Sequence, residues 1–241
     1  MAEQSKQTPV AVILGVGPGL GAAVARRFAK SYAVAVVARR ADYLKSLGDS
    51  IRASGGRSLE VAADVSDRGQ VAAAFKKIRE HLGSPDVLVY NASAGPFGSL
   101  SEISAEEYEN SWRVSALGAF LSAKEVVPEM VTRGHGVLLF TGATAGVKAG
   151  ARSAAFGSSK FALRGLAQSL ARDLGPKGIH VAWINVDGVI DIPRIRESRP
   201  QLKDEDFLKP DAIAETYWHL AHQDRSAWTL ELEVRPFKEK F

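Results

Sequence analysis

The 241-residue chain predicts an α/β fold, a single domain built on a doubly wound parallel sheet of about seven strands flanked by helices. Three observations predict it. Apolar, β-branched runs alternate with segments of helical character along the chain. The runs are uniformly apolar, as strands are when helices cover both faces of a sheet. A glycine-rich turn joins the first run to the first helix, which is where such sheets hold nucleotides.

Each element follows in order. Val10 to Leu14 reads as a strand and Gly21 to Lys30 as a helix. Ala33 to Val37 is the second strand, followed by a helix over Ala41 to Ser54. Ser58 to Ala62 is the third strand and Arg68 to Leu82 the third helix. Val87 to Tyr90, Gly136 to Thr141, His180 to Asn185 and Thr229 to Val234 complete the strands. Long helices cover Ala105 to Arg133, opened by the capping box Ser104-Ala-Glu-Glu107, and Ser153 to Leu174; a shorter one starts near Pro210. Residues 187–210 mix Pro, Arg and Asp with little periodicity and read as a loop or lid covering a substrate site. No repeat, low-complexity tract or linker appears, so residues 1–241 read as one domain.

Composition excludes several function classes. The formal charge is +4 and the pI about 9.3, but the basic residues are scattered. Their nearest approach to a cluster, Arg194-Ile-Arg196-Glu-Ser-Arg199, reads as a solvated loop able to attract an acidic substrate, not as a nucleic-acid surface. The absence of cysteine excludes disulfides and thiolate chemistry and is compatible with a cytoplasmic location. The stretch Met1 to Pro9 is polar, without a signal-peptide core, and no apolar run approaches the ~20 residues that span a bilayer, so no membrane association is expected. The sequon Asn91-Ala-Ser93 directly follows an apolar strand and reads as accidental. His219 and His222 share a helix face without a third ligand and read as a solvated pair, so no metal is expected.

The turn Leu14-Gly15-Val-Gly17-Pro-Gly19-Leu20-Gly21 lets backbone approach a pyrophosphate, and the helix that follows offers unpaired N–H groups. This is the setting of a Rossmann fold. Gly15, Gly19 and Gly21 fit G-x-x-x-G-x-G rather than G-x-G-x-x-G, because Leu20 stands where the third glycine of the latter would be. That spacing resembles the short-chain dehydrogenase/reductase family. Asp64-Val65 after the third strand resembles the family's adenine-holding position. Asn91-Ala92 after the fourth strand resembles its N-N-A-G motif. Val186-Asp187-Gly188-Val-Ile190 resembles the turn that brackets nicotinamide, with Asp for Pro. At the end of the second strand an acid would bind the 2′-hydroxyl of NAD; Ala38 stands there, followed by Arg39 and Arg40. Guanidinium groups suit a 2′-phosphate, so NADP is the expected cofactor; the alternative is that both merely solvate the next helix.

The resemblance implies a general-acid Tyr, a Lys four residues later that binds the nicotinamide ribose, a carbonyl-polarising Ser thirteen residues before the Tyr, and an Asn on an earlier helix. Lys160 matches the Lys, whereas Phe156, Ala143 and Ser115 fall at the other three positions. A Phe ring packs like Tyr but exchanges no proton. Thr144 is the best substitute donor, or else a loop hydroxyl bonded to its own backbone. Asp187 is a further candidate acid, or else a turn residue. The leading expectation is an NADP-dependent oxidoreductase with a rewired site, acting on an enone, an iminium ion or an unusual carbonyl of a small-molecule substrate. A cofactor-binding pseudoenzyme and a non-redox catalyst are the alternatives. Family members pair through their two long helices, which implies a homodimer or homotetramer.

Overall fold

Alternation along the first strand already sets two cores. In β1 (Val10–Leu14), Val10, Val12 and Leu14 face one side of the sheet, and Ala11 and Ile13 the other. The computed structural model describes residues 8–239; residues 1–7, most of the polar N-terminal stretch, lie outside the described residues. After β1 come α1 (Leu20–Phe28), β2 (Ala33–Ala38), α2 (Ala41–Ala53), β3 (Arg57–Ala62), α3 (Arg68–His81) and β4 (Val87–Tyr90). Then follow α4 (Ala105–Trp112), α5 (Gly118–Arg133), β5 (Gly136–Thr141), α6 (Ala154–Leu174) and β6 (Ile179–Val186). The chain ends with β7 (Val189–Ile190), α7 (Pro193–Ser198), β8 (Phe207–Leu208), α8 (Pro210–Ala221) and β9 (Glu231–Val234).

Seven strands form one parallel sheet in the order β3-β2-β1-β4-β5-β6-β9. Helices α3, α5 and α6 cover one face through Phe75, Ile78, Val126, Met130 and Leu163. Helices α1, α2 and α8 cover the other through Val24, Phe28, Leu44, Ile213 and Tyr217. Strand order reverses between β1 and β4, so a crevice opens beyond their C-terminal ends.

Two expectations are corrected. The helix expected over Ala105 to Arg133 is divided by a π turn at Arg113–Leu117. The Tyr90 hydroxyl donates to the Val114 carbonyl inside that turn, and a Cβ at Gly118 would lie 2.3 Å from the same hydroxyl. A phenol inserted into the helical ladder is a known cause of such a bulge, and π turns recur at functional sites. The segment 187–210 is not structureless either. Val189 and Ile190 pair in parallel with Phe207 and Leu208, and α7 lies between them with Pro193 opening it. On its outer side Arg196 is bound by Asp191 (2.5 and 2.8 Å) and by Asp204 (2.7 Å).

Candidate active site

The crevice is a cavity of about 1160 Å³, large against the roughly 300–1,000 Å³ of small-ligand pockets. Its floor is the glycine-rich turn. Gly15 has φ +80°, and a Cβ there would lie 2.3 Å from the Ala92 backbone nitrogen, so the β1 turn abuts the β4 turn only with glycine. The Asn91 amide fixes this contact by donating to the Gly15 carbonyl at 2.9 Å. A Cβ at Gly17 would meet nothing within 4 Å, whereas one at Gly19 would press to 2.7 Å on Ile192, which precedes α7. The Leu20 side chain enters the core while its backbone opens α1 on the cavity. Among the described residues no side chain caps α1, so its first N–H groups face the turn without a side-chain acceptor.

Arg39, Arg40, Asp64 and Val65 line one end. Arg40 is paired with Asp42 at 3.0 Å, and Arg39 makes no ion pair among the described residues. Asp64 accepts from the Ser66 backbone (2.9 Å) and hydroxyl (2.7 Å) through one oxygen. At the other end α6 presents Phe156 and, one turn on, Lys160. Lys160 is 2% exposed; its Nζ donates to the Thr141 carbonyl at 2.9 Å and lies 5.6 Å from the Phe156 ring centroid. Burial pushes its pKa down to about 8. Phe156 also packs on Phe97, with centroids 5.4 Å apart.

Phe156 and Ala143 themselves bring no hydroxyl to the wall, and the nearby Ser153, which lines the cavity, donates its hydroxyl to the Gly150 carbonyl at 2.6 Å. Ser115 is buried, and its hydroxyl lies 3.4 Å from both the Ala94 nitrogen and the Ala94 carbonyl. The Thr141 hydroxyl meets Tyr217 at 2.7 Å, and Ser159 and Ser158 bond back to their own helix. Thr144 does line the cavity, but it is neither a backbone-bonded loop hydroxyl nor a free donor: Oγ1 donates to Asp187 Oδ1 at 2.5 Å. Asp187 itself is 4% exposed and stands behind Thr144, off the cavity wall, 3.8 Å from Arg235. Asp187, a candidate acid or a turn residue by sequence, sits in a turn where its backbone N–H donates to the Val234 carbonyl, which draws the turn onto β9. Gly188 and Ile190 remain on the wall. Sequence reasoning missed Tyr43, Ser93, Phe97, Lys148 and Ile192, which also line the cavity. The exposed aromatic Phe97 just past the β4 turn was the signal that could have found one of them. His222 bonds the Trp218 carbonyl at 2.7 Å, and no group of three metal-ligating side chains occurs among the described residues.

Residues 9–202 match the family model for short chain dehydrogenases. Momilactone A synthase of Oryza sativa subsp. japonica is 34% identical over 232 residues, covering 89% of this chain and 84% of that protein. A glycine betaine reductase of Emericella nidulans is 35% identical over 176 residues, 73% of this chain; the match spans 14% of that much longer protein. The crystal structure of a metagenomic short-chain oxidoreductase in complex with NADP superposes with a TM-score of 0.84 at 28% identity, over 95% of this chain and 98% of that one. The sheet order, the glycine turn at the switch point and a lysine one helical turn beyond Phe156 thus accompany the matched sequence, and the chain belongs to the short-chain dehydrogenase family.

Proposed function

We propose that this protein is an NADPH-dependent oxidoreductase that delivers hydride to a carbon whose partner atom needs no proton from a tyrosine: an enone, an iminium ion or an unusual carbonyl of a small molecule. One observation carries the reading. The cavity keeps Lys160 while Phe156 and Ala143 line the wall where the family places its Tyr and Ser.

The residues present fit the cofactor. The open space at Gly17 and the uncapped start of α1 suit a pyrophosphate, and Arg39 and Arg40 suit a 2′-phosphate. Gly15, Gly19, Leu20 and Gly21 would shape that cradle, Asp64 and Val65 would flank the adenine, Asn91, Ala92, Gly188 and Ile190 line the walls, and Lys160 would hold the nicotinamide ribose. The metagenomic relative that carries NADP supports this choice of cofactor. Bound there, reduced nicotinamide supplies hydride.

The chain's own residues then decide the electrophile. A positioned general acid is worth roughly 10²- to 10⁴-fold and one oxyanion donor roughly 10²- to 10³-fold, so the alkoxide of a simple ketone goes unsupported. Thr144 donates its hydroxyl hydrogen bond to Asp187, which leaves its oxygen able only to accept further bonds. It would accept a bond from a substrate N–H; the Asp187 carboxylate behind it is shared with Arg235 at 3.8 Å. An iminium ion matches this best: hydride adds to carbon, the π pair becomes the nitrogen lone pair, and the product is a neutral amine. The same bare wall also favours a second reading, a protein that binds NADPH without turning it over.

NADPH oxidation over a panel of ketones, enones and cyclic iminium ions tests the proposal. Wild type should reduce simple ketones poorly. Phe156→Tyr alone should help little, and Phe156→Tyr with Ala143→Ser should raise ketone kcat/KM by more than the product of the single effects. Wild-type ketone turnover at ~1–10³ s⁻¹ overturns it. NADPH binding with no oxidation across the panel selects the second reading.

A further inference from the structure

We propose that Arg194 and Arg199 form an anion-binding subsite, so that the substrate is an apolar compound whose far end carries a carboxylate or a phosphate. The inference rests on the reading of this cavity as the redox site. Six cationic side chains line the cavity (Arg39, Arg40, Lys148, Lys160, Arg194 and Arg199) against two acidic ones, Asp64 and Glu239. Such an imbalance concentrates anions. The cofactor accounts for part of it: Arg39 and Arg40 stand at the end of β2, Lys160 lies under Phe156, and the pyrophosphate has the glycine turn and the start of α1. Arg194, Arg199 and Lys148 are left over, and the first two lie together on the segment of α7.

Their surroundings show that they are not ordinary surface charges. Between them, Arg196 is closed off by Asp191 and Asp204, and its guanidinium lies 4.6 Å from the Phe207 ring centroid. Arg194 and Arg199, on either side, make no ion pair among the described residues, and both line the cavity. The segment thus uses Asp191 and Asp204 on the arginine that holds it to β8, whereas the two arginines that line the cavity have no ion pair among the described residues, not even with the neighbouring Glu197. The β7–β8 pairing, the seating of Ile192 on Gly19 and the Lys238–Glu205 ion pair anchor the segment, so the free guanidinium groups start from a fixed base. Lys148, on the wall that follows β5, adds a further cation without an ion pair among the described residues. The lining also includes the apolar Phe97, Phe156, Ala149 and Ile195. A flat apolar body against the Phe97–Phe156 pair, with its charge directed to the arginines, uses both features.

Calorimetric titration of the 241-residue chain tests this, first with NADPH and then, on the NADP⁺-saturated protein, with cinnamate and its uncharged isostere cinnamamide. Wild type should bind cinnamate at least about tenfold more tightly, the factor expected of a charge-assisted bond. Arg194→Ala with Arg199→Ala should abolish that preference while leaving NADPH affinity within about twofold. Both side chains are exposed, and an unchanged Tm shows that the variant is folded. Equal or undetectable binding of the two probes by wild type overturns the proposal. So does a variant that loses NADPH affinity and keeps the cinnamate preference, because the arginines then serve the cofactor phosphates. Failure of NADPH to bind wild type appears in the first titration and tells against the redox reading itself, separately from the subsite.

Discussion

Replacing Lys160 by Met isolates what a buried ammonium costs this fold. Lys160 is 2% exposed and has one hydrogen-bond acceptor, the Thr141 carbonyl at 2.9 Å. Burial lowers its pKa from 10.5 to about 8. The folded chain therefore binds this proton less tightly than the unfolded chain. Below pH 8 both states are protonated and the full penalty stands. Between about pH 8 and 10.5 the folded state is deprotonated while the unfolded state is not, so stability rises with pH. At about 1.36 kcal/mol per tenfold, the penalty is about 3 kcal/mol. Met keeps the length of the side chain and removes the charge, losing one charged hydrogen bond worth roughly 1.5–3 kcal/mol. Near pH 7 the two effects almost cancel. The informative quantity is the difference between wild type and Lys160→Met, because other titrating groups drop out of it. Urea unfolding without cofactor, repeated from pH 7 to 11, should show wild type gaining about 3 kcal/mol on the variant across that range. Curves that stay parallel within about 1 kcal/mol refute the reasoning: the lysine would then not be held in a water-poor site.

Two further outcomes are expected. NADPH should bind more tightly than NADH, and Arg39→Ala should remove about tenfold or more of NADPH affinity while sparing NADH; equal wild-type affinities in a calorimetric titration refute the assignment of that end of the cavity. The protein should form a homodimer or homotetramer through α4, α5 and α6, where Tyr108, Trp112, Phe120 and Phe161 are exposed by 47%, 44%, 44% and 42%. A monomer mass by light scattering at micromolar concentration contradicts it.

The seven strands of the main sheet were legible because each is a continuous apolar run set between helical segments. Their observed ends differ from the expected ones by a residue or two, as at β9, which begins at Glu231 rather than Thr229. The pair β7–β8 was not legible: two residues have no period, and its partner strand lies beyond α7. The π turn was hidden for another reason. Periodicity in residues 105–133 carries through it, and its cause, the Tyr90 hydroxyl, lies on a strand distant in sequence. In the site, residues fixed by local backbone chemistry were readable, which is why Gly15 to Gly21, Asn91 and Lys160 all lie on the cavity. Side-chain aim was not. Asp187 sits one residue from Gly188, yet its carboxylate turns toward Thr144 and Arg235, a choice made by β9 and not by the turn's own sequence.

The glycine turn answers to two different constraints. At Gly15 and Gly19 the fold itself objects to a side chain, through Ala92 and Ile192, so drift at those positions would be punished even in a chain that had abandoned nucleotides. Gly17 is under no such discipline. A methyl group there would touch nothing in the protein, so the architecture places no penalty on replacing it. A lineage that stopped using the crevice would be free to lose Gly17 while keeping its neighbours. This chain keeps Gly17, and with it the room for phosphate, although Phe156 and Ala143 bring no hydroxyl to the same cavity, so the two features do not depend on one another in this fold.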